Sequence, residues 1–211
     1  MKVAIFGAAG RTGQELVHQA LERGFDVVAY ARDSQKIAIN SPLLVKISGG
    51  LDNRGAIRTV IEGSDCVLSA LGPIGQPSDE ELSDGIANIL SVMEECGVRR
   101  LIALSTTSAQ DPQDEDSFRT KLRRDMIRKG RPTSYEQIVA YSQLIRNSDT
   151  DWTLVRIASI LTNSALSKQV CAGYMGKTRF HSKLSRANLA WFMLEQLHSM
   201  EYVRKAPALS D

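Results

Sequence analysis

Two rhythms of apolar and polar positions follow one another along this chain. Short runs of apolar and β-branched residues read as buried strands at residues 3–6 (VAIF), 26–31 (DVVAYA), 43–47 (LLVKI), 66–70 (CVLSA), 100–104 (RLIAL) and 152–157 (WTLVRI). Between them, apolar residues recur at three- and four-residue spacing, as on helices with one buried face. Leu16, Val17, Ala20 and Leu21 mark a helix over about residues 11–23, stopped by Gly24. Ile57, Val60 and Ile61 mark a second over 54–62, closed by Gly63. The run Ser78-Asp79-Glu80-Glu81 is a capping box and opens a helix to about residue 95, with Leu82, Ile86, Ile89, Leu90 and Met93 on one face. Ile138, Tyr141, Leu144 and Ile145 face inward on a helix over 134–148. Ser185 caps a last helix to about residue 199, with Leu189, Phe192, Met193 and Leu197 as its core face. Alternation of this kind predicts an α/β fold, a doubly wound parallel sheet with helices on both faces.

Two stretches break the rhythm. Residues 110–117 are acidic, and the following residues to 132 are basic and amphipathic, with Phe118, Leu122, Met126 and Ile127 as the apolar stripe. A solvated helix face is the plain reading of such charge; the sharper one is a helix that covers the site or meets an anionic substrate or partner. Residues 161–181 contain Gly173 and Gly176 and read as an irregular or hairpin excursion on the substrate side. The tail after Tyr202 is expected to be loose or a short strand. The 211 residues contain no internal repeat, so one domain over 1–211 is expected, with a small C-terminal elaboration.

The chemistry is concentrated where the first strand ends. Gly7, Gly10 and Gly13 sit between that strand and the first helix. Gly7 allows a tight turn, Gly10 lets a pyrophosphate approach the backbone, and Gly13 lets helix and sheet pack closely. The helix N-terminus adds unpaired N–H groups and the positive end of its dipole. A nucleotide site is therefore expected at this edge. At the tip of the second strand, an acid would take a ribose 2′-hydroxyl and an arginine a 2′-phosphate. Arg32 stands there, directly before Asp33. Arg32 favours NADP(H), and Asp33 keeps NAD(H) open. The fourth strand runs into Leu71-Gly72-Pro73, and the fifth into Ser105-Thr106-Thr107-Ser108, a shelf of hydroxyls at the same carboxyl edge.

Bulk properties narrow the classes. A net charge of +2 argues against nucleic acid or a membrane surface as the dedicated partner. No apolar run is long enough to span a bilayer, and the chain opens directly on a strand, so no signal peptide is expected. Cys66, Cys96 and Cys171 are few and widely spaced, as in a reducing, cytoplasmic setting; a reactive thiol is the alternative. With only His18, His181 and His198 and no ligand spacing, no metal is expected.

The motifs also carry a resemblance. GAAGRTG is similar to the GATGxTG turn of atypical short-chain dehydrogenase/reductases, and YARD, SALG, ALSTTS, LIRNSDTDWTLVRIASI and LSRANLAWFMLEQL follow in the family's order. The chain most resembles the compact NAD(P)H-binding group that includes biliverdin-IXβ reductase (flavin reductase) and the NmrA-like proteins. The resemblance implies that Gly7, Gly10, Arg11, Thr12 and Gly13 hold a pyrophosphate and Arg32 a 2′-phosphate. It implies that Leu71, Gly72 and Pro73 line the adenosine and ribose, and that Ser105 and Thr106 lie near a nicotinamide. Two departures stand out. Gly49-Gly50 replaces the family's Gly-Asp after the third strand, leaving backbone or Asp52 to meet the adenine. No tyrosine has a lysine four residues on, since Tyr135 precedes Val139 and Tyr141 precedes Ile145.

Without that acid pair, an acceptor whose reduced anion is delocalised becomes the expected substrate, because solvent can protonate it. The expectation is an NADPH-dependent oxidoreductase acting on a flavin, quinone or tetrapyrrole, with Ser105 orienting the reactants and Tyr141 as the remaining acid candidate. The competing reading is a non-catalytic NAD(P)(H)-binding regulator that meets a protein partner through residues 119–131, as monomer or homodimer. A sugar-nucleotide epimerase fits less well, for want of the tyrosine–lysine pair and of an added substrate domain.

Overall fold

The computed structural model describes residues 1–72, 79–115 and 117–211. Strands β1 (Lys2–Phe6), β2 (Asp26–Ala31), β3 (Leu44–Ser48), β4 (Cys66–Ser69), β5 (Arg100–Thr106) and β6 (Asp151–Ile157) alternate with helices α1 (Arg11–Glu22), α2 (Arg54–Ile61), α3 (Asp79–Glu95), α4 (Phe118–Gly130) and α5 (Pro132–Asn147). Then come β7 (Ile160–Thr162), β8 (Cys171–Gly173), β9 (Lys183–Ser185), α6 (Arg186–Glu195) and β10 (Ala208–Ser210). The main sheet runs β3-β2-β1-β4-β5-β6-β10-β8. Every pairing is parallel except that of β8 with β10. The strand order reverses between β1 and β4, which opens a crevice at their carboxyl ends.

The doubly wound sheet forms because its strands are apolar on both faces, as strands covered on both sides must be. Val3, Ala4, Ile5 and Phe6 are all fully buried. One core layer packs α2, α3 and α5 through Ile57, Val60, Ile86, Met93, Tyr141 and Ile145. The other packs α1 and α6 through Leu16, Val17, Leu189, Phe192 and Met193. Each of β1 to β6 lies within a residue or two of its sequence position.

Several details depart from expectation. β5 extends to Thr106, so Ser105 and Thr106 are ladder residues rather than a loop beyond it. Of the two forms expected for the tail, the short strand is the one present: β10 inserts between β6 and β8 with Ala208, Leu209 and Ser210 wholly buried. The excursion after Leu161 holds β8, and β7 pairs in parallel with β9 as a second small sheet. Helix α6 stops at Glu195, short of residue 199, where the Arg100 guanidinium takes the Gln196 carbonyl at 2.6 Å and ties the helix end to the sheet. The capping serine expected at Ser78 lies outside the described residues.

The four residues of the α4 stripe do not all face the same way. Phe118, Leu122 and Met126 share one face but are exposed, while Ile127, a quarter-turn round, faces inward. Periodicity told which side chains lie together, not which way they face.

Candidate functional site

The β1–α1 turn is built as the glycine spacing requires. Gly7 has φ +74°, a conformation that suits glycine. A Cβ on Gly13 would stand 2.1 Å from the Gly7 carbonyl oxygen, so the helix rests directly on the turn. Gly10 differs: its Cβ would meet only that same oxygen, at 3.3 Å, and the space above is open. Gly10 is the N-cap of α1, without a side-chain cap and with no acid in the first turn. The N–H groups of Arg11, Thr12 and Gly13 find no acceptor among the described residues. This helix end attracts anions. Exposed Arg11 beside it has no hydrogen bond or ion pair among the described residues.

The neighbouring strand ends complete the edge. The Ala8 N–H bonds to the Tyr30 carbonyl at 3.1 Å and the Ala70 N–H to the Phe6 carbonyl at 3.0 Å, holding the tips of β2 and β4 against the turn. Arg32 emerges from β2, exposed and likewise without a hydrogen bond or ion pair among the described residues. Asp33 is engaged: its carboxylate accepts the Gln35 N–H at 3.1 Å and stands 3.8 Å from the Lys36 ammonium. At the tip of β3, Tyr30 explains the double glycine. Its hydroxyl donates to the Gly50 carbonyl at 2.7 Å, and its ring occupies the place of a Gly49 side chain. Asp52 folds back over Gly50. Leu71 and Gly72 follow β4 at the same edge, and no described residue would meet a Cβ on Gly72. Pro73 lies outside the described residues.

The end of β5 gathers hydroxyls. Ser105 is buried with its Oγ 2.9 Å from Ser142 Oγ on α5. Tyr141, one residue before, is buried beside them and donates to the Leu104 carbonyl at 3.0 Å. Burial pushes its phenol up to about 12, against a smaller downward pull from the Ser105 hydroxyl. The structure thus brings Ser105 and Tyr141 together, as in a serine–tyrosine pair. The position a turn further along α5, where a lysine would stand, is the fully buried Ile145. Thr106 Oγ1 accepts the Ser108 N–H at 3.2 Å and shapes the turn beyond the strand. Beside that turn is a small cavity walled by Thr107, Ser108, Gln110, Asp114 and Met175, and by Thr120, Arg124 and Ile127 of α4. Helix α4 therefore covers this end of the sheet.

A buried ion pair anchors that cover. Arg156, at the end of β6, is wholly buried. Its guanidinium grips both oxygens of Asp114 at 2.6 and 2.8 Å and also donates to the carbonyls of Ala206 and Ala109. Asp114 in turn accepts the N–H groups of Asp111 and Met175. Burial alone would raise the Asp114 carboxyl. The Arg156 hydrogen bonds and charge, with the two N–H groups, outweigh it and hold the carboxyl below its usual range. Sequence reading missed this network, because one arginine closing an apolar strand looks like a solvated end. The signal available was the cluster of acids at 111–116.

Comparison with known proteins bears on the same edge. Residues 7–200 match the NAD(P)H-binding family. The chain belongs to that family. Membership of that family implies a nicotinamide cofactor as its small-molecule partner. A curated relative, (4-alkanoyl-5-oxo-2,5-dihydrofuran-3-yl)methyl phosphate reductase of Streptomyces griseus, is 24% identical over 77% of this chain and 49% of its own length. The chain thus spans about half of that relative. Among solved structures, a short-chain dehydrogenase/reductase of Veillonella parvula in complex with NADP superposes with a TM-score of 0.81 at 18% identity, covering 100% of this chain and 94% of that one. The oxidoreductase ylbE of Lactococcus lactis gives 0.80 at 17%, covering 100% and 91%. Both likenesses are of fold.

Among the described residues of this NAD(P)H-binding protein, no cluster of side chains could hold a metal ion, and no helix is long and apolar enough to cross a membrane. The three cysteines are free, and burial pushes the Cys66 thiol up to about 12, leaving it unreactive.

Proposed function

We propose that this chain is an NADPH-dependent reductase of a small, electronically activated acceptor. The observation that carries the reading is the β1–α1 edge: among the described residues, unpaired helix N–H groups, an open approach over Gly10, and two arginines without hydrogen-bond or ion-pair partners. These features fit a dinucleotide. Gly7, Gly10, Arg11, Thr12 and Gly13 would hold its pyrophosphate, and Leu71 and Gly72 its adenosine side. Ser105 and Thr106 would flank the nicotinamide, which when bound supplies a hydride. Arg32 would take the 2′-phosphate. The preference for NADPH over NADH follows from Asp33 being spent on Gln35 and Lys36 while Arg32 is not.

The acceptor class follows from the hydroxyl cluster. Tyr141 already gives its proton to Leu104, burial holds it protonated at neutral pH, and no lysine stands by to lower its pKa. Its role on this reading is to position Ser105. General acid help is worth about 10²–10⁴-fold. An ordinary ketone would miss it, whereas a flavin, quinone, tetrapyrrole or conjugated carbonyl compound can take its proton from water. Reduction is also the activity named for the Streptomyces griseus relative. A second reading, a nucleotide-binding regulator, is favoured by one observation: Ser105, Tyr141 and Ser142 satisfy one another inside the fold.

The test is a calorimetric titration with NADPH and NADH, repeated on Arg32→Ala, followed by cofactor oxidation with a panel of flavins and quinones. Tighter NADPH binding, weakened at least tenfold in the variant with NADH unchanged, is expected. Equal binding of both cofactors would remove Arg32 from the site, and binding of neither would end the cofactor assignment. Binding without turnover on any acceptor would favour the regulator.

A further inference from the structure

Helix α4 carries a face that the fold leaves unused. Phe118, Leu122 and Met126 lie in one row and are 81%, 50% and 65% exposed. The opposite side of the helix, with Thr120, Arg124 and Ile127, already walls the cavity over β5. Residues 118–131 hold seven arginines and lysines and a single acid, Asp125, whereas the rest of the chain has more acids than bases. The small net charge of the whole molecule conceals this separation.

Among the described residues, the acids that precede the helix are engaged by cations outside it. Asp111 and Asp114 are buried beside Arg146 and Arg156, and Glu115 stands 3.8 Å from the Lys177 ammonium. Asp125 lies 3.1 Å from Arg128. The exposed face of α4 is thus an apolar row in a cationic setting, with Lys129 and Arg131 exposed at its end.

We propose that α4 docks this protein on an anionic lipid bilayer. A basic amphipathic helix that lies in the interface plane buries its apolar row at the headgroup boundary and keeps its cations among anionic headgroups. The row here is exposed to solvent, with Phe118 the most exposed of the large apolar side chains among the described residues. A fluid bilayer accepts such exposed side chains without a complementary shape. A second copy of this chain fits less well, because a symmetric contact through α4 would press two cationic segments together. An acidic protein partner shares the charge complementarity but would need a matching furrow for the row.

Co-sedimentation of the full chain with vesicles tests this, using phosphatidylcholine alone and phosphatidylcholine with roughly a quarter phosphatidylglycerol, a composition that places anionic lipid at the surface. Binding to the anionic vesicles only is expected, falling at least tenfold at about 0.5 M salt, where charges are screened within a few ångströms. Two double variants separate the two contributions: Leu122→Asp with Met126→Asp for the row, and Lys129→Glu with Arg131→Glu for the charge. All four side chains are exposed, and retained helical circular dichroism confirms the fold. Each double variant is expected to lose at least tenfold in bound fraction. Wild-type protein that stays in the supernatant would overturn the proposal and leave an acidic protein as the occupant of the face. Equal binding to neutral vesicles, or unchanged binding by both folded variants, would overturn it as well.

Discussion

The residue that most repays attention is Arg156. Its guanidinium has no exposure, and it ties β6 to two other stretches of chain: Ala109 and Asp114 before α4, and Ala206 before β10. Removing one partner of a buried ion pair typically costs about 3–5 kcal/mol, because the other charge is left in low dielectric. Arg156→Leu is therefore expected to lower stability by about 3 kcal/mol, read from urea unfolding at pH 7. The loss should depend on pH. The native Asp114 carboxyl is held below its usual value, so the pair contributes fully above the unfolded carboxylate range, near about pH 4. That contribution fades as pH falls through the lowered native pKa. The gap between wild type and variant should narrow on acidification; a gap independent of pH would mean that lost packing, not the ion pair, sets the cost. The cluster of acids at 111–116 was visible in the sequence, but its pairing with Arg156 was not. Which acid meets which arginine is settled by a fold that brings positions 114 and 156 together, not by any local pattern.

At the scale of elements, the β1–α1 unit was the most legible part of the chain, since each glycine answers to a local steric need. The three needs differ, and substitutions separate them. Alanine at Gly13 would force its Cβ into the Gly7 carbonyl, an overpacking expected to cost about 1–3 kcal/mol. Alanine at Gly10 meets one oxygen at 3.3 Å and adopts an ordinary φ of −72°, so stability should change by less than about 1 kcal/mol. Its methyl group would nonetheless stand where the phosphates approach. Gly10→Ala is expected to fold normally and lose at least tenfold in NADPH affinity, while Gly13→Ala loses both. Thermal melts alongside calorimetry decide it, and an undiminished affinity in Gly10→Ala would move the pyrophosphate off the turn. Helix α4 shows the opposite case of legibility. Its apolar spacing was plain, but spacing carries no information about whether a partner surface exists on that side. The three-residue strands β7, β8, β9 and β10 are too short for a two-residue alternation to register at all. They form through long-range pairing.

At the scale of the whole molecule, the expected nucleotide contacts come from parts of the chain that are distant in sequence. They are the turn after β1, the tip of β2, the end of β4 and the end of β5, all at one carboxyl edge because β1 to β6 run in parallel. The strand–helix alternation made this edge predictable, whereas the closing of the far side by β10 and β8 was not. A ligand that touches separate elements of a cooperative fold stabilises the whole by mass action. At a concentration of 100 times its Kd the gain is about 2.7 kcal/mol. For a chain of this size each kcal/mol is worth about 2–4 °C in Tm, so saturating NADPH should raise the melting temperature by about 5–10 °C. At equal concentration NADH should raise it less, and Arg32→Ala should bring the two shifts together without changing the melting temperature of the unliganded protein. Arg32 is exposed and makes no hydrogen bond or ion pair among the described residues, so a lower unliganded Tm in that variant would show it to be structural and withdraw it from the 2′-phosphate. No shift with either nucleotide, at concentrations up to the millimolar range where weak cofactor sites fill, would break the link between this edge and a dinucleotide.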